Sequence, residues 1–243
     1  MKLEIIGFNI ESCMAAQRSG ANRIELCDNY YEGGTTPSFA LIRAARKKLS
    51  IELYVMIRPR GGDFLYSDDE FEIMKNNIKV CKDLGCDGVV LGILNADGTV
   101  DTKRCSHLFE YAYPLGVTFH RAYDRTSDPF QALEDIIHIG CERILTSGQQ
   151  PKATEGTSLI QQLVHRAGER ITIMPGAGIN SQNIIQIAES TGAVEFHSSA
   201  SMFIQGNMQY HHKGINDEKY IMVNEEEVEK MSVLLKNFFN ARV

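Results

Sequence analysis

The sequence predicts a (β/α)8 barrel, a closed ring of eight parallel strands surrounded by helices. Eight short apolar segments are distributed along the 243 residues, and a helical segment follows each of the first seven. Glycine, the residue that most readily ends a helix, recurs where a helical segment gives way to a strand, as at Gly20, Gly85 and Gly140. The predicted strands are residues 2–7, 22–26, 51–57, 87–92, 115–119, 142–146, 171–175 and 193–197.

An open doubly wound sheet is the alternative arrangement of such alternating units. It is disfavoured because no G-x-G-x-x-G sequence follows the first strand. No linker rich in proline, glycine or serine divides the chain, so we expect one domain over residues 1–243. Within it, residues 1–201 form the barrel units, residues 202–223 form an excursion after the last strand, and residues 224–241 form a C-terminal helix.

The composition restricts the class of partner. The chain has a net charge of −6, which disfavours a nucleic-acid surface because phosphate backbones bind to basic faces. No apolar run approaches the roughly 18 residues of a membrane-spanning helix, and the N-terminus enters a strand without a signal peptide. Six scattered cysteines without C-x-x-C spacing are typical of reduced thiols. We therefore expect a cytoplasmic protein with no nucleic-acid or membrane partner.

Ionisable residues recur near the C-terminal ends of the predicted strands, where barrel enzymes carry their active sites. His120 and Asp124 follow the fifth strand, and Glu25 and Glu195 belong to the second and the eighth. Histidine titrates near neutral pH, and burial beside another carboxylate raises the pKa of a glutamate towards neutrality. We predict that these four residues are catalytic acid–base groups. The alternative for Glu25 is a structural ion pair with an arginine inside the barrel.

Three arginines are predicted to bind an anionic substrate at the same end of the barrel. Arg58 and Arg60 follow the third strand, and Arg121 follows the fifth. A guanidinium group binds a carboxylate or phosphate through two parallel hydrogen bonds. The alternative is a salt-bridge network with neighbouring carboxylates such as Asp63 and Asp124.

Small residues after the sixth, seventh and eighth strands are predicted to present backbone N–H groups to the same anion. The alternative is that they form ordinary tight turns, which also require glycine and serine. These residues are Ser147, Gly148, Gly176, Gly178, Ser198 and Ser199.

Seven segments of the chain resemble the CutC family, in an order and spacing that match from the first strand to about residue 201. The resemblance implies a cytoplasmic (β/α)8 barrel that usually forms a homo-oligomer, such as a dimer or tetramer. It also implies a role in copper homeostasis, with copper binding in some members. The segments are Arg23-Ile24-Glu25-Leu26-Cys27, Glu32-Gly33-Gly34-Thr35-Thr36-Pro37-Ser38, Ile57-Arg58-Pro59-Arg60-Gly61-Gly62-Asp63-Phe64, Phe119-His120-Arg121-Ala122, Leu145-Thr146-Ser147-Gly148, Gly176-Ala177-Gly178 and Glu195-Phe196-His197-Ser198-Ser199-Ala200.

A copper(I) site needs soft thiolate or thioether ligands. Cys27 is the one cysteine predicted at the C-terminal end of a strand, so no two-cysteine site is expected. Cys27 with His120 or His197 is the predicted metal site, and the alternative is that Cys27 is a small apolar residue at the rim. A second set of donors lies in the excursion, where the alternative is polar cover. It consists of Met202, Met208, His211 and His212.

Two functions therefore compete at the level of sequence. The first is a copper-homeostasis protein that binds Cu(I). The second is a barrel enzyme, an isomerase, lyase or hydrolase, that acts on a small anionic or sugar-like substrate at the barrel mouth. The partner is accordingly a copper ion or a small anionic molecule. A non-catalytic scaffold, the third alternative, leaves the polar strand ends unexplained.

Overall fold

The computed structural model describes residues 1–210, 212, 214 and 219–240. In this part of the chain, eight parallel strands alternate with helices and form the predicted barrel. The barrel strands are β1 Lys2–Gly7, β2 Arg23–Leu26, β3 Glu52–Met56, β4 Gly88–Leu91, β5 Gly116–Phe119, β6 Arg143–Thr146, β7 Thr172–Pro175 and β8 Glu195–Ser198. The helices are α1 Ile10–Arg18, α2 Phe39–Lys48, α3 Asp68–Asp83, α4 Thr102–Ala112, α5 Pro129–Ile139, α6 Thr157–Ala167, α7 Ile184–Thr191 and α8 Glu225–Asn240.

Strands β1 to β7 pair in parallel one after another in chain order, and β1 also pairs with β8. Strands β7 and β8 lie side by side where the ring closes. Because all eight strands run in the same direction, their C-terminal ends form one face of the barrel. The fold prediction is confirmed, and each predicted strand boundary lies within two residues of the observed one.

Side chains alternate between two environments along each strand, as the period of two requires. On β1, Leu3 and Ile5 belong to the hydrophobic layer between strands and helices, whereas Ile6 belongs to a smaller cluster inside the barrel. Glu4 lies in phase with Ile6 and is only 1% exposed. The interior of this barrel therefore contains buried charge.

A network of buried charges fills the N-terminal half of the barrel. Its centre is Arg23, whose side chain is fully buried. The guanidinium group lies 3.2 Å from Glu4, 2.9 Å from Glu52 and 2.9 Å from Glu195. Arg143 lies 3.2 Å from Glu195 and completes the network. A buried cation of this kind is tolerated only when carboxylates compensate its charge.

The position of Glu195 corrects one prediction. We expected Glu195 to lie at the barrel mouth with Glu25 and His120. Strand β8 begins at Glu195, two residues later than predicted, so this side chain lies at the opposite end of the barrel. There it is bound by two arginines and is remote from the mouth.

The excursion after the last barrel strand contains a strand pair that the sequence pattern did not reveal. Strands β9 Ser201–Gln205 and β10 Lys219–Val223 are antiparallel, with Met202 opposite Met222. The ring of Phe203 contacts the ring of Tyr30, with centroids 5.8 Å apart. His211, one of the candidate copper ligands, lies outside the described residues. None of the described helices is long and apolar enough to cross a bilayer.

Replacement of Arg23 by methionine is expected to destabilise the protein strongly. The substitution leaves Glu4 buried without its guanidinium partner, and breaking a buried ion pair from one side costs about 3–5 kcal/mol. The free energy of unfolding in urea at pH 7 measures the effect. The matched control is Arg18→Met, whose partner Glu225 is half exposed, with an expected change below about 1 kcal/mol. Similar losses in both variants would contradict the prediction.

Candidate active site

A cavity of about 200 Å³ opens at the C-terminal face of the barrel. Its lining divides into an apolar part and a polar part. The apolar residues are Ile6, Phe8, Tyr30, Met56, Phe64 and Leu145. The polar residues are Glu25, Arg58, His120, Arg121, His197 and Ser199. The small residues Gly33, Ala177 and Gly178 complete the lining.

The carboxyl group of Glu25 and the imidazole of His197 lie at the floor of this cavity, and the carboxylate of Glu4 supports the imidazole from outside the lining. His197 Nδ1 lies 2.7 Å from Glu4 Oε1, which is hydrogen-bond distance, and His197 Nε2 lies 3.9 Å from Glu25 Oε2. The second separation is too long for a hydrogen bond. Glu25 Oε1 has no hydrogen-bond partner among the described residues. Glu25 and His197 therefore keep hydrogen-bonding capacity for a bound molecule.

Burial and mutual charge set the protonation of this cluster. Burial raises the pKa of Glu25 to about 7, and the charge of His197 opposes the rise. Burial acts to lower the pKa of His197, but the carboxylates of Glu25 and Glu4 outweigh it and the pKa is raised. Burial acts to raise the pKa of Glu4, but the hydrogen bond and charge of His197 outweigh it and the pKa is lowered. Near neutral pH, Glu4 is thus a carboxylate, His197 is an imidazolium, and Glu25 exchanges its proton.

His120 differs from the sequence prediction because it is neutral. Burial, reinforced by the charge of Arg58, lowers the pKa of His120 to about 3. Its Nδ1 accepts a hydrogen bond of 3.2 Å from the backbone N–H of Ala122. The hydrogen must therefore reside on Nε2, where it has no acceptor among the described residues. His120 presents a neutral N–H donor, and it is not a general base.

The backbone makes room for the His120 ring. A Cβ atom at Gly92 would lie 2.7 Å from His120 Nδ1, so the imidazole can occupy this position only beside glycine. On another side, the ring of Phe64 packs against it with centroids 4.9 Å apart. The orientation of the ring is thus fixed by packing as well as by its hydrogen bond.

Arg121 is the cation that lines the cavity beside His120. Its Nε donates to Asp124 at 2.8 Å and its Nη2 donates to Ser147 Oγ at 2.9 Å, and the side chain remains 43% exposed. Asp124 also accepts from the hydroxyl of Thr146 at 2.6 Å and from the backbone N–H of Ser147. Asp124 and Ser147 therefore hold Arg121 in place from behind and do not line the cavity, contrary to their predicted roles.

The two arginines of the third loop are used by the protein itself. Arg58 lines the cavity, but it donates to the carbonyl oxygens of Glu32, Gly34 and Gly62. Arg60 lies outside the cavity and pairs with Glu70 and Asp63. For Arg60 the alternative considered above, a salt-bridge network, describes the arrangement better than anion binding.

The small residues of the last three loops fall into two groups. Ser199 and Gly178 line the cavity, as does Ala177, and their N–H groups donate to no acceptor in the described part of the chain. The remaining predicted residues donate hydrogen bonds to neighbouring residues or to an adjacent strand or loop, so they do not present donors to a ligand. They are Gly148, Gly176 and Ser198.

Cys27 lies behind Glu25 and does not line the cavity. Its Sγ is 3.6 Å from Glu25 Oε2, and its side chain is fully buried. Burial raises the pKa of the Cys27 thiol well above its usual value, and the neighbouring Glu25 charge adds to the rise. The thiol is therefore protonated and donates to the carboxylate.

The side chains that could bind a metal in the structure differ from the copper ligands predicted from the sequence. Within the described residues, the one group of three or more candidate ligand side chains consists of Glu4, Glu25 and His197. Oxygen and imidazole donors of this kind do not favour Cu(I), which prefers sulfur. His120 fits a metal poorly, because a ligating histidine normally donates its other ring N–H, whereas His120 Nδ1 is an acceptor.

Glu4 is the site residue that the sequence reasoning missed. It precedes the expected strand end by three residues, so a search limited to strand ends passed over it. Its position in the sequence indicates the role, because side chains alternate along a strand. Glu4 lies two residues before Ile6, so both face the barrel interior, opposite to Leu3 and Ile5.

Comparison with known proteins agrees with this architecture. The model of the CutC family matches residues 1–202. This chain belongs to the CutC family. A CutC family protein of Chromobacterium violaceum is 51% identical over 213 residues, which cover 88% of this chain and 86% of that protein. The human copper homeostasis protein cutC homolog is 46% identical over 213 residues, which cover 88% and 78% of the two chains.

A solved structure shows the same barrel. The crystal structure of CutC from Streptococcus agalactiae is 34% identical, with a TM-score of 0.79, and the match covers 82% of this chain and 98% of that one. The family resemblance noted in the sequence is thereby confirmed, and so is the barrel that it implied.

The stability of this CutC-family protein is expected to depend on pH through Glu25. The folded protein holds a proton on Glu25 that the unfolded chain loses above about pH 4.5, so stability falls as pH rises from there through the raised pKa near 7. Glu25→Gln removes this loss. The free energy of unfolding of the variant minus that of the native protein is therefore expected to be larger at pH 8 than at pH 5 by about 1–3 kcal/mol, because only the native protein loses stability over this range. Urea titrations at the two pH values measure the difference, and an equal effect at both would contradict the assignment.

Proposed function

We propose that this CutC-family protein is an enzyme that transfers a proton on a small anionic substrate bound at the barrel mouth. One observation carries the proposal: Glu25, a buried carboxyl group whose pKa is raised to about 7, lines the cavity with one oxygen unpartnered among the described residues. A general base works best when its pKa lies near the working pH. Glu25 meets that requirement and His120 does not.

Two N–H donors complement the base. His197, held by Glu4, brings an imidazolium next to Glu25. His120 supplies a neutral N–H from the adjacent part of the lining. When a base removes a proton from carbon next to a carbonyl, negative charge develops on the carbonyl oxygen, and fixed donors stabilise it. This division of roles favours isomerase or lyase chemistry over hydrolysis.

The polar rim supports an anionic substrate. Arg121 is fixed by Asp124 and remains partly exposed at the cavity. The N–H groups of Ala177, Gly178 and Ser199 lie on the loops after β7 and β8, where barrels frequently bind phosphate. A phosphate or carboxylate on the substrate would bind between these groups, with its reacting carbon towards Glu25.

Replacement of Glu25 by glutamine is expected to abolish proton exchange. The native protein is incubated in D2O with a panel of small phosphorylated ketones and 2-oxo acids, and NMR follows the loss of the C–H signal next to the carbonyl. We expect exchange in at least one compound, and a decrease of about 10²–10⁴-fold in Glu25→Gln, because the base is lost.

The matched control is Asp63→Asn, which removes a carboxylate of the mouth loops that pairs with Arg60 outside the cavity. Its exchange rate is expected to equal that of the native protein. Equal rates in Glu25→Gln and in the control would refute the role of Glu25. No exchange with any compound, together with no thermal stabilisation by any of them, would refute the proposed substrate class.

Copper(I) binding in the cytoplasm is the second candidate, which the names of the relatives support. The specific observation in its favour is that Cys27 Sγ and His197 Nε2 approach the same oxygen of Glu25, at 3.6 and 3.9 Å. A cation that displaced the thiol proton would find one sulfur and one nitrogen donor there. The homo-oligomer implied by the family resemblance stays a prediction.

Cys27→Ser tests this second candidate. Freshly reduced protein is titrated with Cu(I) against a competing chelator, and the variant is expected to bind the mouth-site copper at least about tenfold more weakly, because serine lacks the soft donor. His107→Gln, which removes an imidazole on α4 away from the mouth, serves as control. Unchanged binding in Cys27→Ser would remove the mouth from the copper site.

A further inference from the structure

The apolar residues of the cavity lining lie on one side of the barrel. Five of the six belong to β1, to β3 or to the loops that follow β1, β2 and β3, which are neighbouring strands. The exception is Leu145, which belongs to β6. The five residues, which we call the apolar wall, are Ile6, Phe8, Tyr30, Met56 and Phe64.

The apolar wall is continuous from the barrel interior to the rim. Ile6 and Met56 belong to one buried cluster inside the barrel, and Phe8 packs against that cluster. The ring of Phe8 meets the ring of Tyr30 edge to face, with centroids 5.4 Å apart. Phe8, Tyr30 and Phe64 are only partly buried. Three rings of the wall therefore keep apolar surface that a bound molecule can cover.

The groups proposed to bind the anion lie across the cavity from the apolar wall. Arg121 follows β5, Ala177 and Gly178 follow β7, and Ser199 follows β8, beside β7. In a ring of eight strands, β5 is opposite β1 and β7 is opposite β3. A molecule that fills the cavity therefore meets charge and N–H donors at one end and apolar side chains at the other.

Glu25 lies at the base of the apolar wall. It belongs to β2, the middle one of the three strands, and it is the register partner of Ile6 on β1. His120 directly follows β5 and His197 belongs to β8, so the two N–H donors come from outside these three strands. A reacting carbon above Glu25 therefore has the apolar wall on one side and the N–H donors and Arg121 on the other.

We propose that the substrate is a small anion that carries an aromatic ring on the carbon from which Glu25 removes a proton. Such a compound has an anionic group, a carbonyl group, a CH2 group and a ring in sequence, which matches the order of the groups across the cavity. The proton moves from the CH2 carbon to Glu25, and the electron pair of the broken C–H bond enters the enolate, whose oxygen gains the negative charge. This inference rests on the proposed function for the position of the reacting carbon, and it adds the class of substrate.

The size of the cavity suits one ring. The cavity is about 200 Å³, and roughly 150 Å³ of apolar space is enough to hold benzene. A single ring with a short anionic chain therefore fits this volume better than a larger apolar group. Because the rings of the wall are partly exposed, their contact with the substrate would remove apolar surface of both partners from water, which favours binding.

The first test compares two ligands on the native protein by isothermal titration at pH 7. Phenyllactate and lactate share a carboxylate and a hydroxyl group and differ by the ring, and neither carries a ketone, so binding is measured without proton transfer. Phenyllactate is expected to bind at least about tenfold more tightly, because its ring covers the apolar wall. Equal affinities, or no binding of phenyllactate, would overturn the proposal.

Variants locate this preference on the apolar wall. Phe8→Ala and Tyr30→Ala are each expected to reduce the preference for phenyllactate, whereas Arg121→Met is expected to weaken both ligands alike. The matched control is Phe39→Ala, which removes an exposed ring at the first residue of α2, outside the cavity lining. The control is expected to keep the full preference. A preference that survives in both wall variants would place the ring elsewhere and overturn the inference.

Deuterium exchange separates this inference from the proposed function. The native protein is incubated in D2O with phenylpyruvate and with pyruvate, and NMR follows exchange next to the ketone above the uncatalysed rate. Faster exchange of phenylpyruvate is the expected result. Equal catalysed rates would refute the ring specificity and leave the proton-transfer function intact. Tighter binding of phenyllactate, without catalysed exchange of either ketone, would support the ring site and refute the proton transfer.

Discussion

Glu4 connects the buried charge network of this barrel to the cavity at its mouth. Its Oε2 lies 3.2 Å from Arg23 in the buried charge network, and its Oε1 lies 2.7 Å from His197 at the cavity floor. The arginine compensates the buried carboxylate, and the carboxylate in turn keeps the imidazole protonated and oriented. The electrostatics of the mouth therefore depend on ion pairs in the layer beneath it. A charge-filled barrel interior of this kind is costly to desolvate, and it persists only because nearly every charge has a partner.

The protonation states separate groups that look equivalent in the sequence. His120 and His197 are both buried histidines at strand ends, yet one accepts a backbone hydrogen bond and is neutral, and the other donates to a carboxylate and is charged. Burial lowers the pKa of both, and only His197 has carboxylates close enough to reverse the effect. The same argument applies to Glu25, whose raised pKa reflects burial that no single partner offsets completely.

The sequence predicted the barrel and its mouth because hydrophobic periodicity and helix-ending glycines are local signals. It located Glu25, His120, Arg121, His197 and Ser199 correctly at the mouth, since each follows or ends a strand. It failed for Arg60 and Asp124, because which partner a charged side chain chooses depends on tertiary distances. Glu195 was misplaced by a two-residue error in the start of β8.

The contact between Phe203 and Tyr30 joins the mouth to a segment that begins where the family match ends, at residue 202. Tyr30 forms part of the cavity lining, and its position is supported by a strand that contributes nothing to the barrel. The post-barrel segment can therefore vary in sequence without disturbing the strands that carry the charged residues. A change in that segment would reach the cavity through the position of Tyr30, whereas the charged residues at the floor would keep their places on the barrel strands.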